Sequence, residues 1–254
     1  MNENAKKIWI TGASSGIGKA LAIKFANNGW EVAVSARREN LLQDLSKNNS
    51  NIFPFTLDVK DEKLTKSVFQ NIIEKFKTLD ICVFCTGIHD PESEKKLSSE
   101  KIREIMETNF FGTLNCIMAV NAFFRKNKSG HISIVASVAG YRGFPAASGY
   151  CASKSALISL TESLYFDFKR HNVRVSVINP GFIKTPMTDK NKFPMPMIKS
   201  SEFAAEKIFI GLTKKNAFEI HFPLVFTMLM KLLKIMPNWL YLMIASKGMK
   251  KIKL

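Results

Sequence analysis

The chain has 254 residues, of which 46% are hydrophobic, and its 37 Lys and Arg against 21 Asp and Glu give a net charge of +16. This length is near the upper limit for one hydrophobic core, which should bury about 75% of the unfolded surface, so we expect a single domain over residues 1–254. No linker or internal repeat interrupts the chain. The basic residues form no stripe interleaved with stacking aromatics, which argues against nucleic acid as a partner. No apolar signal segment precedes the first predicted strand, so we expect a cytoplasmic protein.

Seven apolar segments predict buried strands, and helical patterns fill the intervals between them. The strands are predicted at 7–11, 31–35, 52–56, 81–84, 131–135, 173–178 and 217–221. Strands that alternate with helices predict a parallel sheet covered on both faces. Right-handed crossovers then leave a crevice at the carboxyl ends of the strands. We therefore predict a doubly wound α/β fold with a seven-stranded parallel sheet.

The first strand leads into a glycine-rich turn, T-G-A-S-S-G-I-G, that spans residues 11–18. A helix is predicted to follow over residues 19–27. Glycines let the backbone approach a pyrophosphate closely, and a helix N-terminus offers free N–H groups and a partial positive charge. The spacing G-x3-G-x-G differs from the common dinucleotide fingerprint. The segment predicts a phosphate-binding turn.

The cysteines Cys82, Cys85, Cys116 and Cys151 include one C-x-x-C pair. That pair lies in the apolar run of the fourth strand, and a second pair of ligands is missing, whereas a structural zinc site needs four. We predict reduced, mostly buried thiols and no metal site.

Tyr150 precedes Lys154 by four residues on a predicted helix, and Ser137 lies thirteen residues upstream of Tyr150. A phenol has a reference pKa of about 10, so its use in proton transfer requires a cation that stabilises the phenolate. Positions i and i+4 of a helix face the same side. Lys154 can therefore supply this cation and lower the pKa of Tyr150. The three residues predict a site that polarises and protonates a carbonyl group.

Residues 223–254 are strongly apolar and basic, with no acidic residue after Glu219 and six lysines. Two lysines and a proline interrupt the run, whereas a transmembrane helix needs about 20 consecutive apolar residues. The pattern predicts two amphipathic helices. Such a pair can lie at a lipid surface, with tryptophan and tyrosine at the boundary and lysines near anionic head groups. It can also form a subunit interface, and the sequence leaves both alternatives open.

With these motifs, the sequence resembles the short-chain dehydrogenase/reductase family over roughly residues 5–221. The matching motifs are T-G-A-S-S-G-I-G at 11–18, L-D-V at 57–59, T-N-F-F-G at 108–112, S-V-A-G at 137–140, Y-C-A-S-K at 150–154 and N-P-G-F-I-K-T at 179–185. The resemblance implies a Rossmann-type fold, a nicotinamide cofactor and a catalytic tetrad of Asn109, Ser137, Tyr150 and Lys154. One departure is clear, since Phe84 and Cys85 stand where the family usually has asparagines that brace the central strands.

The resemblance and the strand ends together define a set of cofactor-binding residues. They are Gly12, Ser14, Ser15, Gly16, Ile17, Gly18, Arg37, Arg38, Asp58, Val59, Gly87, Tyr150, Lys154, Pro180, Gly181, Ile183 and Thr185. An acidic residue after the second strand would repel a 2′-phosphate, but two arginines stand there. A guanidinium can hold a phosphate bidentately. We therefore predict NADP(H), with Arg37 as the main ligand of the phosphate.

The resemblance also assigns individual roles within the site. Lys154 would bind the nicotinamide ribose, and Asn109 would hold a water that links this lysine to solvent. Asp58 would bind the adenine amino group, although a capping role in its loop fits the same residue. Thr185 would bind the carboxamide of the nicotinamide.

Residues 186–222 are predicted to form a substrate lid and the last strand. Methionines recur in the first part of this segment, and methionine-rich lids adapt to hydrophobic ligands, although the same side chains could simply pack against the sheet. We predict an NADPH-dependent carbonyl reductase, or the reverse alcohol dehydrogenase, for a lipophilic substrate such as a 3-oxoacyl, steroid-like or long-chain ketone. A homodimer or homotetramer is expected, with peripheral membrane contact of the tail as an alternative use of it. The competing hypothesis is a catalytically silent NADPH sensor or membrane scaffold, while the short Y-x3-K spacing disfavours an enoyl reductase.

Overall fold

A seven-stranded parallel sheet with helices on both faces forms the centre of the molecule in a computed structural model that describes residues 5–215 and 217–252. The strands are β1 (Lys7–Thr11), β2 (Glu31–Ala36), β3 (Ile52–Thr56), β4 (Ile81–Phe84), β5 (His131–Val135), β6 (Arg174–Pro180) and β7 (Glu219–Phe222). The helices are α1 (Gly16–Ala26), α2 (Glu39–Lys47), α3 (Glu62–Phe76), α4 (Pro91–Glu94), α5 (Ser99–Met106), α6 (Gly112–Asn127), α7 (Ser148–Lys169), α8 (Ser201–Thr213), α9 (Leu224–Ile235) and α10 (Asn238–Ile252). The predicted Rossmann-type fold is confirmed.

The strand order is β3-β2-β1-β4-β5-β6-β7, and every neighbouring pair is parallel. After β3 the chain returns to the middle of the sheet, where β4 pairs with the free side of β1. The strand order therefore reverses between β1 and β4. At such a switch point the connections leave towards opposite faces, and a crevice opens beyond the carboxyl ends of the two strands. This topology places the candidate site at the middle of the sheet.

The strand bounds agree with the sequence prediction for β1, β3, β4 and β5; β2 ends one residue later than predicted, and the other differences lie at the far edge of the sheet. There β6 continues through Pro180, because Asn179 and Pro180 pair with the last two residues of β7. Helix α1 also begins earlier than predicted, at Gly16. Position 18 in its first turn accepts only glycine, because a Cβ there would lie 2.4 Å from the carbonyl oxygen of Gly12.

Two apolar cores lie on the two faces of the sheet, because successive strand residues point to opposite sides. In β1, Ile8 and Ile10 pack with Leu21 and Phe25 of α1, whereas Trp9 packs on the other face. The ring of Trp9 lies 5.9 Å from Phe69 and 5.6 Å edge-on from Phe84. Fully buried aromatic side chains of this size contribute on the order of 2–3 kcal/mol each.

The residues at 84 and 85, which depart from the family pattern, are accommodated by packing and by one hydrogen bond. Phe84 is buried against Trp9. The backbone N–H of Cys85 donates to the Thr11 hydroxyl at 3.1 Å. The central strands are therefore connected beyond their ladder by Thr11 instead of by asparagine amides.

The two helices predicted at the C-terminus are present as α9 and α10. Within the described part of the chain, none of the helices is both long enough and apolar enough to cross a membrane.

A chain of buried polar side chains connects β5 and β6. His131 Nε2 lies 2.8 Å from the Ser176 hydroxyl, which donates to the Ser133 hydroxyl at 3.0 Å. Burial of the imidazole and, secondarily, the positive charge of Arg174 lower the pKa of His131 from 6.5 to about 3. The folded protein therefore holds His131 neutral.

We expect acid to destabilise the protein through His131. The folded-state pKa is the lower one, so the unfolded chain takes up the proton first, and stability falls as the pH drops from about 6.5 towards 3 with a slope of up to about 1.4 kcal/mol per pH unit. Urea unfolding at several pH values between 7 and 4 measures this slope. The variant His131→Gln should flatten it, whereas His171→Gln, at a partly exposed position, should change it little. An unchanged slope in His131→Gln would contradict the assignment.

Candidate active site

A cleft of about 460 Å³ opens at the carboxyl ends of the central strands. It is lined by every residue predicted to bind the cofactor and by Ser137. Asn109 is fully buried and is placed behind the wall of the cleft. Residues from distant parts of the chain meet here because parallel strands all end at the same edge of the sheet.

The glycine-rich turn between β1 and α1 forms the floor of one end of the cleft. Gly12 has a φ of +68°, and a Cβ there would lie 2.8 Å from the carbonyl oxygen of Cys85. Gly16 has a φ of +55°, and a Cβ there would lie 2.9 Å from the Thr185 side chain. Left-handed backbone and this proximity both require glycine. The turn thus brings the backbone of β1, the end of β4 and the segment after β6 together.

Arg38 is fixed against this turn. Its Nη2 atom donates to the Ser14 hydroxyl at 2.7 Å and to the Ser15 hydroxyl at 2.8 Å. Arg37 lines the same cleft and is exposed. Two guanidinium groups next to the free N–H groups of a helix start create a local positive potential that suits a phosphate.

Ser137, Tyr150 and Lys154 line the same cleft. Lys154 Nζ donates to the carbonyl oxygen of Val135 at 2.9 Å and is 5.7 Å from the centroid of the Tyr150 ring. The Ser137 hydroxyl accepts from the backbone N–H of Ala139 at 3.1 Å. The first turns of α7 and the end of β5 therefore hold an alcohol, a phenol and an ammonium group side by side.

Burial dominates the protonation of these groups. It lowers the pKa of Lys154 from 10.5 to about 8. It raises the pKa of Tyr150 from 10.0 to about 12, although a hydrogen bond with Ser137 acts in the opposite direction. The net shift is opposite to the expected lowering of the pKa of Tyr150, because the loss of hydration of the phenolate outweighs the hydrogen bond with Ser137. The phenol of Tyr150 is therefore protonated near neutral pH.

Asn109 connects three segments behind the site. Its side chain accepts from the N–H of Ile88 at 2.7 Å, donates to the carbonyl of Ile88 at 3.0 Å and donates to the Ser153 hydroxyl at 3.0 Å. Ser153 in turn donates to the carbonyl oxygen of Tyr150 at 2.8 Å. A Cβ at Gly87 would lie 3.5 Å from both the Asn109 side chain and Lys154 Nζ. Asn109 therefore positions the loop after β4 against α7.

Asp58 and Thr185 are placed in the cleft with local partners as well. Asp58 accepts from the backbone N–H of Lys60 at 3.1 Å, so the capping role is present. The N–H of Thr185 donates to the Thr188 hydroxyl at 2.9 Å, and this hydroxyl donates to the carbonyl of Ile183 at 2.7 Å. These contacts fix the segment that follows β6 over the glycine-rich turn.

The sequence analysis missed His89 and Glu94. The ring of His89 lies 4.3 Å from that of Tyr150, and its Nδ1 is 2.8 Å from the carboxylate of Glu94. This buried carboxylate also accepts from the N–H of Gly149 at 2.7 Å, at the start of α7. The pair thus links the loop after β4 to the helix that carries Tyr150. The position of His89, two residues after Gly87, was the only sequence signal.

The arrangement fits a nicotinamide dinucleotide. A turn that only glycines can form, two arginines after β2, and the side chains of Ser137, Tyr150 and Lys154 all line this one cleft. The adenosine end would lie between Arg37, Arg38 and Asp58, and the nicotinamide end between Thr185, Tyr150 and Lys154.

Comparison with known proteins agrees with this geometry. Residues 6–194 match the family model described as short chain dehydrogenase. An uncharacterized oxidoreductase of Myxococcus xanthus is 34% identical over 236 residues, 91% of this chain and 93% of its own length. The 3-oxoacyl-[acyl-carrier-protein] reductase FabG of Thermotoga maritima is 32% identical over 215 residues, 83% of this chain and 85% of its own.

Solved structures give the same result. ElxO with NADP bound is 26% identical and superposes with a TM-score of 0.75 over 85% of this chain and 97% of ElxO. A short-chain dehydrogenase from Streptomyces avermitilis, at 23% identity, shares the fold with a TM-score of 0.82 over 96% of this chain and 99% of its own. With its glycine-rich turn, its Ser-Tyr-Lys site and these relatives, the chain belongs to the short-chain dehydrogenase family of oxidoreductases.

Proposed function

We propose that this oxidoreductase is an NADPH-dependent carbonyl reductase, which can also run in reverse as an alcohol dehydrogenase, for a lipophilic substrate. The observation that carries the proposal is that Ser137, Tyr150 and Lys154 line one cleft together with two arginines. In a reduction, a ketone, NADPH and a proton would become an alcohol and NADP⁺. When bound, NADPH supplies the hydride that adds to the carbonyl carbon.

The chain's own residues would handle the carbonyl oxygen. Tyr150, which burial keeps protonated, would donate its proton to that oxygen as negative charge develops. The Ser137 hydroxyl would donate a hydrogen bond to the same atom, and such donors act strongly where water is excluded. The Lys154 ammonium, buried beside the phenol, would stabilise the phenolate left after proton transfer. Asn109, through Ser153, would hold Tyr150 in a fixed position relative to the loop after β4.

NADPH is favoured over NADH by the charge at the end of β2. Arg37 and Arg38 stand where an acidic residue would repel a 2′-phosphate. The hydrogen bonds to Ser14 and Ser15 fix Arg38 against the turn. Arg37 lines the cleft without those hydrogen bonds and is the main phosphate ligand in this proposal. ElxO, a relative by structure, has NADP bound.

A lipophilic substrate is supported by apolar side chains near the segment after β6. The ring of Phe182 lies 6.1 Å from Phe193 and 5.5 Å from Phe226. Met187 lines the cleft. The similarity to a 3-oxoacyl-[acyl-carrier-protein] reductase favours a 3-oxoacyl substrate among the lipophilic ketones.

We further propose a homodimer or homotetramer that works in the cytoplasm. Phe111, Met118 and Phe166 are exposed apolar side chains on and next to α6 and α7, where a second copy could cover them. All four cysteines are free thiols, which persist in reducing compartments.

We expect Tyr150→Phe to abolish reduction while leaving NADPH binding intact, since only the proton donor is removed. Loss of a general acid should lower kcat about 100- to 10,000-fold. The measurements are NADPH oxidation with ketones of graded chain length and NADPH affinity by fluorescence. NADPH binding without turnover by the wild type on any ketone would favour a cofactor sensor instead of a reductase.

We expect Arg37→Ala to raise the Kd for NADPH about 10- to 100-fold, because a charge-assisted phosphate contact is lost. The Kd for NADH, which lacks the 2′-phosphate, should change little. Arg170→Ala removes an exposed guanidinium outside the cleft and is the matched control. Equal losses for the two cofactors would refute the proposed phosphate contact, and a wild-type preference for NADH would refute the assignment of NADPH.

The pH profile of reduction should depend on Lys154. Its pKa is lowered to about 8, so the ammonium is charged below that value and loses its charge as the pH rises through it. We therefore expect kcat/KM to fall above about pH 8 in the NADPH-dependent direction. NADPH affinity measured at the same pH values separates a binding effect from a chemical one. A profile that stays flat to pH 9.5 would contradict the role given to this lysine.

A further inference from the structure

The C-terminal helices expose many large apolar side chains, which together are named here the tail face. On α9 its six side chains are between 53% and 78% exposed. The tail face consists of Leu224, Val225, Met228, Leu229, Leu232 and Ile235 on α9, and Trp239, Leu242, Met243 and Ile244 on α10. Apolar surface of this extent on a folded protein marks a site of interaction.

The tail face cannot be the side of α9 that packs on the protein, because the opposite side already does so. Phe226, Thr227 and Met230 are buried. The ring of Phe226 lies 5.5 Å from Phe182, and the Thr227 hydroxyl is 2.7 Å from His221 Nδ1. Helix α9 is thus apolar on both sides, and one of them is turned outward.

Contacts at the start of α10 hold both helices in this orientation. Arg142 donates from Nε to the carbonyl of Leu233 at 3.0 Å and from Nη1 to the side chain of Asn238 at 2.6 Å. The Tyr241 hydroxyl donates to the carbonyl of Gly143 at 2.5 Å. The outward direction of the tail face is therefore built into the fold.

The charge of the C-terminal segment suits an anionic surface and not a second copy of this chain. Six lysines and no acidic residue follow Glu219 in the sequence. Lys231 pairs with Glu219 at 2.5 Å, and Lys234 lies 5.6 Å from the ring centroid of Tyr141, so both stand beside the apolar stripe of α9 and not within it. Two copies that met through this face would bring like charges together. Anionic lipid head groups would be attracted by the same lysines.

We infer that the tail face binds the surface of a bilayer that contains anionic lipids. Helices α9 and α10 would lie in the plane of the interface with their apolar side chains among the acyl chains. Trp239 would lie at the level of the head groups, where its amphipathic ring is favoured. Because Phe226 on the inner side packs on the segment after β6, the bound surface would lie next to an element of the cleft.

The test is flotation of the full-length protein with vesicles of phosphatidylcholine, with and without phosphatidylglycerol, at low and high salt. We expect the wild type to float with the anionic vesicles and to do so less at high salt. The double variant Leu229→Asp/Leu232→Asp places two charges in the tail face and should weaken binding about 100-fold or more. Leu97→Asp changes an exposed apolar residue between α4 and α5, outside the tail face, and should bind as the wild type does.

Three results would overturn the inference. They are failure of the wild type to float with either kind of vesicle, equal flotation of the double variant and the wild type, and equal loss of flotation in Leu97→Asp. A dimer in solution that dissociates in the double variant, without any vesicle binding, would assign the tail face to a second copy. NADPH affinity, measured in parallel, reports whether the variants are folded. Flotation needs no turnover, so its outcome is independent of the proposed reductase activity.

Discussion

The close approach of β1 and β4 at the centre of the sheet is the constraint on which the site depends. Gly12 passes so near the backbone of Cys85 that a side chain of any size would separate the two strand ends. The hydrogen bond from Cys85 to Thr11 fixes the same junction. Since the connections of these strands leave to opposite faces, the crevice, the start of α1 and the loop that carries Gly87 all take their positions from it.

A second constraint is the burial of Lys154. An ammonium group without full hydration loses affinity for its proton, and it is held here by the carbonyl oxygen of Val135. The neighbouring phenol is affected in the opposite direction, because its charged form is the anion. Near neutral pH the phenol of Tyr150 is therefore protonated. The ammonium of Lys154 beside it is charged but loses its proton at a lower pH than an ordinary lysine does. Such a pair is suited to give a proton to a substrate oxygen and to stabilise the resulting phenolate.

The sequence predicted the features that rest on local pattern. Strand periodicity, the glycine spacing and the four-residue step from Tyr150 to Lys154 each involve neighbours in the chain, so the fold and the cleft residues could be read from them. The link between Glu94 and Gly149 joins residues 55 positions apart, and no local pattern marks it. The choice between two adjacent arginines depends on side-chain direction, and the rise in the pKa of Tyr150 depends on burial by the whole fold. At the C-terminus, periodicity predicted two helices but did not give the side that faces outward.

Phe226 gives the tail a second consequence. A Cβ on Gly181, which lines the cleft, would lie 2.7 Å from the ring of Phe226. Helix α9 therefore packs directly against the segment that leads from β6 across the glycine-rich turn. A displacement of α9 would also displace that segment, because close-packed side chains have no free space between them. Truncation of the tail would therefore disturb the cleft as well, so residues beyond the family match over 6–194 contribute to its shape.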